Sequence, residues 1–92
     1  MDRVKVAEEL LKLAKELTAA NPIEQLKEVV EKASSFMNVG AELKKAGLKY
    51  DFSTSMMPIY MVKIGGQNYA ILSKKYADDA DAYVGNIAIG KM

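Results

Sequence analysis

Apolar residues near the start of the chain recur at helical spacing. Val6, Leu10, Leu13 and Leu17 follow at steps of four, three and four, with Ala7, Leu11 and Ala14 in a second row beside them. The stripe predicts an amphipathic helix over 3–20. Asp2 is placed to cap it, and Glu8 and Lys12 form a favourable i,i+4 pair. Such a leucine stripe suits a core or a seam between subunits. Asn21-Pro22 stops the pattern and restarts it: Asn21 suits an N-cap, Pro22 the first helical position, and Glu24 the reciprocal position of a capping box. Ile23, Leu26, Val30, Ala33 and Met37 then return at steps of three and four, widened by Val29 and Phe36. They predict a second helix to about Ser35, and the short link predicts an antiparallel helical hairpin. A short third helix is expected over 39–46, between Asn38 as cap and Gly47 as left-handed terminator.

The period then changes to two. Leu48, Tyr50 and Phe52 alternate with polar residues, so 48–52 reads as a strand. Ser53 to Ser55 is a polar turn, and Pro58, with no backbone donor, belongs at a strand start or edge. The clearest signal is 57–73, MPIYMVKIGGQNYAILS, where two apolar runs flank Gly65-Gly66. Glycines there supply the positive φ that hairpin turns demand. A two-residue loop pairs Ile64 with Gln67, Val62 with Tyr69, and Tyr60 with Ile71. One face then carries Ile59, Met61, Ala70 and Leu72, and the other Tyr60, Val62, Tyr69 and Ile71. The first face is aliphatic with no polar handle and is expected to meet the helices. The second, tipped with hydroxyls, also needs a cover: the chain's own helices, a second subunit or a ligand.

Beyond Ser73 the segment KKYADDAD predicts a helical turn or an ordered loop. Ala82-Tyr83-Val84 and Ile87-Ala88-Ile89, around Gly85-Asn86, predict a tight hairpin or one kinked strand. Helices first and strands second predict an α+β fold: a helical hairpin and a short third helix packed on a three- or four-stranded antiparallel sheet. The whole of 1–92 reads as a single domain, helical through residue 46 and sheet from 47.

Composition narrows the chemistry. Half of the 92 residues are hydrophobic and 27% are charged, with a net charge of +1. Eight basic and eight acidic residues precede residue 47, and five basic and four acidic follow it. That balance offers no footprint for a phosphate backbone and weighs against nucleic acid as a partner. With no cysteine, disulfides and thiolate metal sites are excluded; with no histidine, the commonest general base and metal ligand are missing. No apolar run approaches a membrane span, and Glu8, Glu9 and Glu16 interrupt any signal-peptide pattern, so a cytoplasmic protein is expected.

Short motifs add little. Tyr76-Ala77-Asp78-Asp79 matches the YxDD tetrapeptide of polymerase palms, but in a chain far too short for one. Asp78, Asp79 and Asp81 offer oxygen ligands without the spacing, glycine and terminal glutamate of an EF-hand, so no metal and no cofactor is expected. Gly65-Gly66 lacks the Lys-Ser or Lys-Thr that follows in a phosphate loop. No serine, threonine or lysine has an evident activating base, so no catalytic residues and no enzyme are expected.

The opening VKVAEELLKLAKELTAA resembles the starts of small phage-encoded proteins that share a VAxELLxxAxELTA-like helix. The resemblance covers about the first fifth of the chain and implies a virus-encoded accessory or virion protein, in host cytoplasm or virion, with no site residues.

The function expected is that of a small interaction protein, homo-oligomeric or bound to another protein, contacting its partner through Tyr60, Val62, Tyr69 and Ile71. Tyrosine desolvates well and keeps a hydroxyl for specificity. One alternative is a small-molecule or nucleotide binder using Tyr50, Lys63, Lys74 and Lys75. Another is a single-stranded nucleic-acid binder stacking bases on Tyr50, Phe52, Tyr60 and Tyr69 with Lys49 and Lys63 alongside.

Overall fold

The computed structural model describes residues 3–8, 21–54 and 56–92. Residues 3–8 are helical and exposed. The rest of the helix expected over 3–20, and with it the helical hairpin, lies outside the described residues.

Helix α1 spans Pro22–Lys32 with proline in its first turn, as Asn21-Pro22 predicts. It stops three residues before Ser35, because Ala33 turns to extended backbone. Ser34 and Ser35 follow, and then a single 3-10 turn, Phe36–Asn38. Serine disfavours helix interiors, and the break delivers Phe36 to the aromatic rings of the sheet. Helix α2, Val39–Lys45, follows directly. Asn38 makes no capping bond; its amide donates to Ser34 Oγ at 2.6 Å instead. Gly47 ends α2 at φ 74°, with Gly47 N donating to Lys44 O and Leu48 N to Leu43 O, a Schellman closure.

Five strands follow among the described residues: β1 Lys49–Ser53, β2 Ile59–Ile64, β3 Gln67–Ser73, β4 Ala82–Val84 and β5 Ile87–Lys91. They form one antiparallel sheet in the order β1-β2-β3-β5-β4. The expected three or four strands become five because 82–91 forms a complete hairpin, turning at Gly85 with φ 59°. The central hairpin has the register read from Gly65-Gly66: Ile64 pairs with Gln67, Val62 with Tyr69 and Tyr60 with Ile71. Both turn glycines have positive φ, 58° and 80°.

After β3, Lys74–Tyr76 makes a 3-10 turn and the chain crosses to the far edge before returning as β5 between β3 and β4. Ala80 and Asp81 lie against Gly90, so the crossover passes over β5 on the side away from the helices. Ala88, two residues before Gly90 on the same side, is fully buried. Asp81 Oδ2 accepts a 2.7 Å hydrogen bond from the Lys91 amide, beyond the point where β4 begins to pair.

The two faces of the sheet are assigned the opposite way round from the expectation. Tyr60, Val62, Tyr69 and Ile71 are buried, packed with Ile89 against Leu26, Val29 and Val30 of α1 and Val39 and Leu43 of α2. Ile59, Met61, Ala70 and Leu72, expected to meet the helices, stand on the opposite side, open among the described residues, and do not belong to the core cluster. The reason is chemical. A tyrosine needs a partner for its hydroxyl when buried, and the Phe36–Asn38 turn provides one. Tyr60 donates to Phe36 O at 3.0 Å and to Met37 O at 3.2 Å.

Candidate functional site

The buried face is built around Tyr60, only 3% exposed. Its ring lies 4.9 Å from Phe36, 4.6 Å from Phe52 and 5.6 Å from Tyr50, tilted or edge-on in each case. Burial raises the Tyr60 hydroxyl above its ordinary 10.0; the Gly40 amide opposes that shift and Tyr50 adds to it. Gly40 lets α2 approach: a Cβ there would stand 2.7 Å from the Tyr50 hydroxyl and 3.1 Å from Cε1 of Tyr60. Tyr60, Val62, Tyr69 and Ile71, the residues singled out as partner-binding, therefore serve as the chain's own core. The base-stacking set loses its platform for the same reason, since Tyr60 and Tyr69 are buried and Tyr50 and Phe52 half-buried against the helices.

The open face is organised in rows across the strands. Nearest the Gly65-Gly66 turn, Lys49 pairs with Lys63 and Lys63 with Asn68. The next row is Asp51, Met61, Ala70 and Gly90, and the third is Ser53, Ile59, Leu72, Ala88 and Tyr83. The second and third rows make an uncharged apolar patch between Asp51 on β1 and the crossover on β5. Met61, at its centre, is 36% exposed, and Ile59, Ala70 and Leu72 are half-buried.

The alternative ligand set divides between two places. Tyr50 and Lys63 line one cleft of about 470 Å³ together with Lys49, Asp51, Met61, Asn68 and Met92. Lys74 and Lys75 line another, with Ser73 and Asn86. Lys74 Nζ lies 5.3 Å from the centre of the Tyr83 ring, and Lys75 Nζ 5.0 Å from that of Tyr76, so both ammonium groups already rest on aromatic faces. Lys49 is the residue sequence reasoning left out of this set; its position opposite Lys63 follows from extending the β1–β2 register.

Asp78 and Asp79 are exposed, and Asp81 is engaged by the Lys91 amide. Among the described residues no three such carboxylates are placed to hold a metal ion, and no helix is long and apolar enough to cross a membrane. Comparison with protein-family models, curated proteins and solved structures gives no match.

Proposed function

We propose that the protein is a non-enzymatic interaction module that pairs with a second copy of itself through the open face of its sheet. The observation that carries this is the patch of Ile59, Met61, Ala70 and Leu72, which stands outside the core on the sheet face away from α1 and α2. An antiparallel sheet open to water on one side normally alternates apolar with polar residues. Here β2 and β3 put apolar residues on both sides over two successive rows.

A second copy suits this surface in three ways. A 92-residue chain buries only about 60–65% of its unfolded surface, so association adds materially to a modest core. The patch itself carries no charge, so it can meet its own image across a two-fold axis without opposing like charges. The Lys49–Lys63 row lies about 13 Å along the strands from the Ile59–Leu72 row. An axis between the Met61 and Leu72 rows keeps the lysine ends of the two copies apart. The resemblance of the opening residues to small phage-encoded proteins supports an accessory or virion setting for the assembly.

The test is molar mass in solution, by light scattering over a concentration series, for the native chain and for Met61→Lys. Met61 is exposed, so its substitution leaves the core untouched. The native chain is expected to be a dimer that dissociates on dilution, and the variant a monomer with an unchanged circular dichroism spectrum. A native monomer at every concentration refutes the reading.

A further inference from the structure

Lys49 and Lys63 stand directly opposite one another on β1 and β2, on the open face. Like charges in that position repel and destabilise a sheet. Neither ammonium group has an ion-pair partner or an aromatic face among the described residues. The other two lysines of the sheet's open clefts, Lys74 and Lys75, rest on tyrosine rings. Lys49 at the sheet edge has a second explanation, since edge lysines deter strand addition. Lys63, on an inner strand, does not. Asn68 continues the row on β3, adding an amide donor, and its carbonyl holds the Met92 amide at 3.0 Å. Met92 is further fixed by Gln67 Nε2, which donates to Met92 O at 2.7 Å. Lys49, Lys63, Asn68 and Met92 border one cleft, whose volume lies in the range of small-molecule sites.

We propose that this cleft binds a small phosphomonoester bearing neighbouring hydroxyl groups, such as a sugar phosphate or a ribonucleotide. Two lysines at directly opposed positions on one cleft suit a dianion, and lysine binds phosphate well as a point charge. The Asn68 amide donates to a phosphate oxygen. Asp51, one row further along β1, lines the same cleft and carries a carboxylate with no ion-pair partner among the described residues. A carboxylate only accepts hydrogen bonds, so it repels a second anionic group and selects hydroxyl donors. Met61 and Met92 provide an adaptable apolar surface for the ring. The lysine row lies one row beyond the apolar patch, and Met61 borders both the cleft and the patch.

The experiment titrates ribose 5-phosphate, inorganic phosphate and ribose into the full chain at fixed ionic strength, following backbone amide resonances. Ribose 5-phosphate is expected to bind saturably and more tightly than inorganic phosphate, moving the signals of Lys49, Lys63 and Asn68. Lys49→Gln and Lys63→Gln should each weaken it about tenfold or more. Lys74→Gln should leave it unchanged. Asp51→Asn should remove the preference for ribose 5-phosphate over inorganic phosphate. All four positions are exposed, so the variants should keep the native amide spectrum elsewhere. Absence of saturable binding overturns the proposal. So does an equal loss in Lys74→Gln, which signals general charge attraction, or tighter ribose 5-phosphate binding in Asp51→Asn. Adenosine 5′-monophosphate compared with ribose 5-phosphate then tells a nucleotide site from a sugar-phosphate site.

Discussion

Tyr60 concentrates the forces that hold the helices on the sheet. Its ring fills the space between Phe36, Phe52 and Tyr50, and its hydroxyl satisfies two carbonyls at the break between α1 and α2. Tyr60→Phe keeps the ring and removes the hydroxyl's hydrogen bonds to Phe36 O and Met37 O, so it should cost about 1–2 kcal/mol in urea unfolding. Its titration has a definite sign. The folded state holds the Tyr60 proton more tightly than the unfolded chain, so this contribution is fully present below pH 10 and is lost as pH rises through 10 toward the raised folded value. The unfolding midpoint of the native chain should therefore fall as pH is raised through 10, and that of Tyr60→Phe should fall less. Gly40 makes the complementary point about space. Gly40→Ala drives a methyl group to within 2.7 Å of the Tyr50 hydroxyl and against the pinned Tyr60 ring. It should destabilise by about 1–3 kcal/mol, despite alanine's better helix propensity.

At the scale of elements, the two sides of β3 can be told apart by neighbouring residues. Ile71 is fully buried against the helices, while Leu72 is half-buried on the open side. Ile71→Ala should cost about 2–5 kcal/mol, and Leu72→Ala about 1 kcal/mol in dilute solution. Equal losses would mean that both faces are core. This is also where sequence reasoning reached its limit. Alternation from Pro58 to Ser73, with glycines as punctuation, was enough to place Tyr60 opposite Ile71 and to group the residues of each face. Alternation says who shares a face, not which face is covered. That choice depends on the break at Ala33–Ser35, which brings Phe36 O and Met37 O to the Tyr60 hydroxyl, a local event that the helical spacing of Ala33 and Met37 conceals. The aliphatic face looked like core because it lacked polar atoms; the tyrosine face became core because its polar atom found partners. The lysine cleft was legible in part. Tyr50, Lys49 and Lys63 stand out in the sequence as candidate binding residues, whereas Asp51 joins them only once β1 is set beside β2. The crossover over β5 left no mark in the sequence beyond small residues, Ala80, Ala88 and Gly90, where the chains pass closely.

For the whole molecule, the described residues form a one-sided architecture. Helices, tyrosines and the aliphatic residues facing them make the core, and the opposite side of the same strands keeps an apolar centre with a basic end. The central claim is that this second side is a contact surface between copies, and the methionines report on it without any mutation. Met61 lies at the centre of the patch, whereas Met37 is on the 3-10 turn and Met56 is 94% exposed in the β1–β2 connection. The measurement is the rate at which dilute peroxide converts each methionine to its sulfoxide, read by mass spectrometry across a range of protein concentrations. Oxidation of Met61 should slow as concentration rises, while Met37 and Met56 keep constant rates. If Met61 is oxidised at the same rate relative to Met37 and Met56 at every concentration, the open face is not a seam between copies.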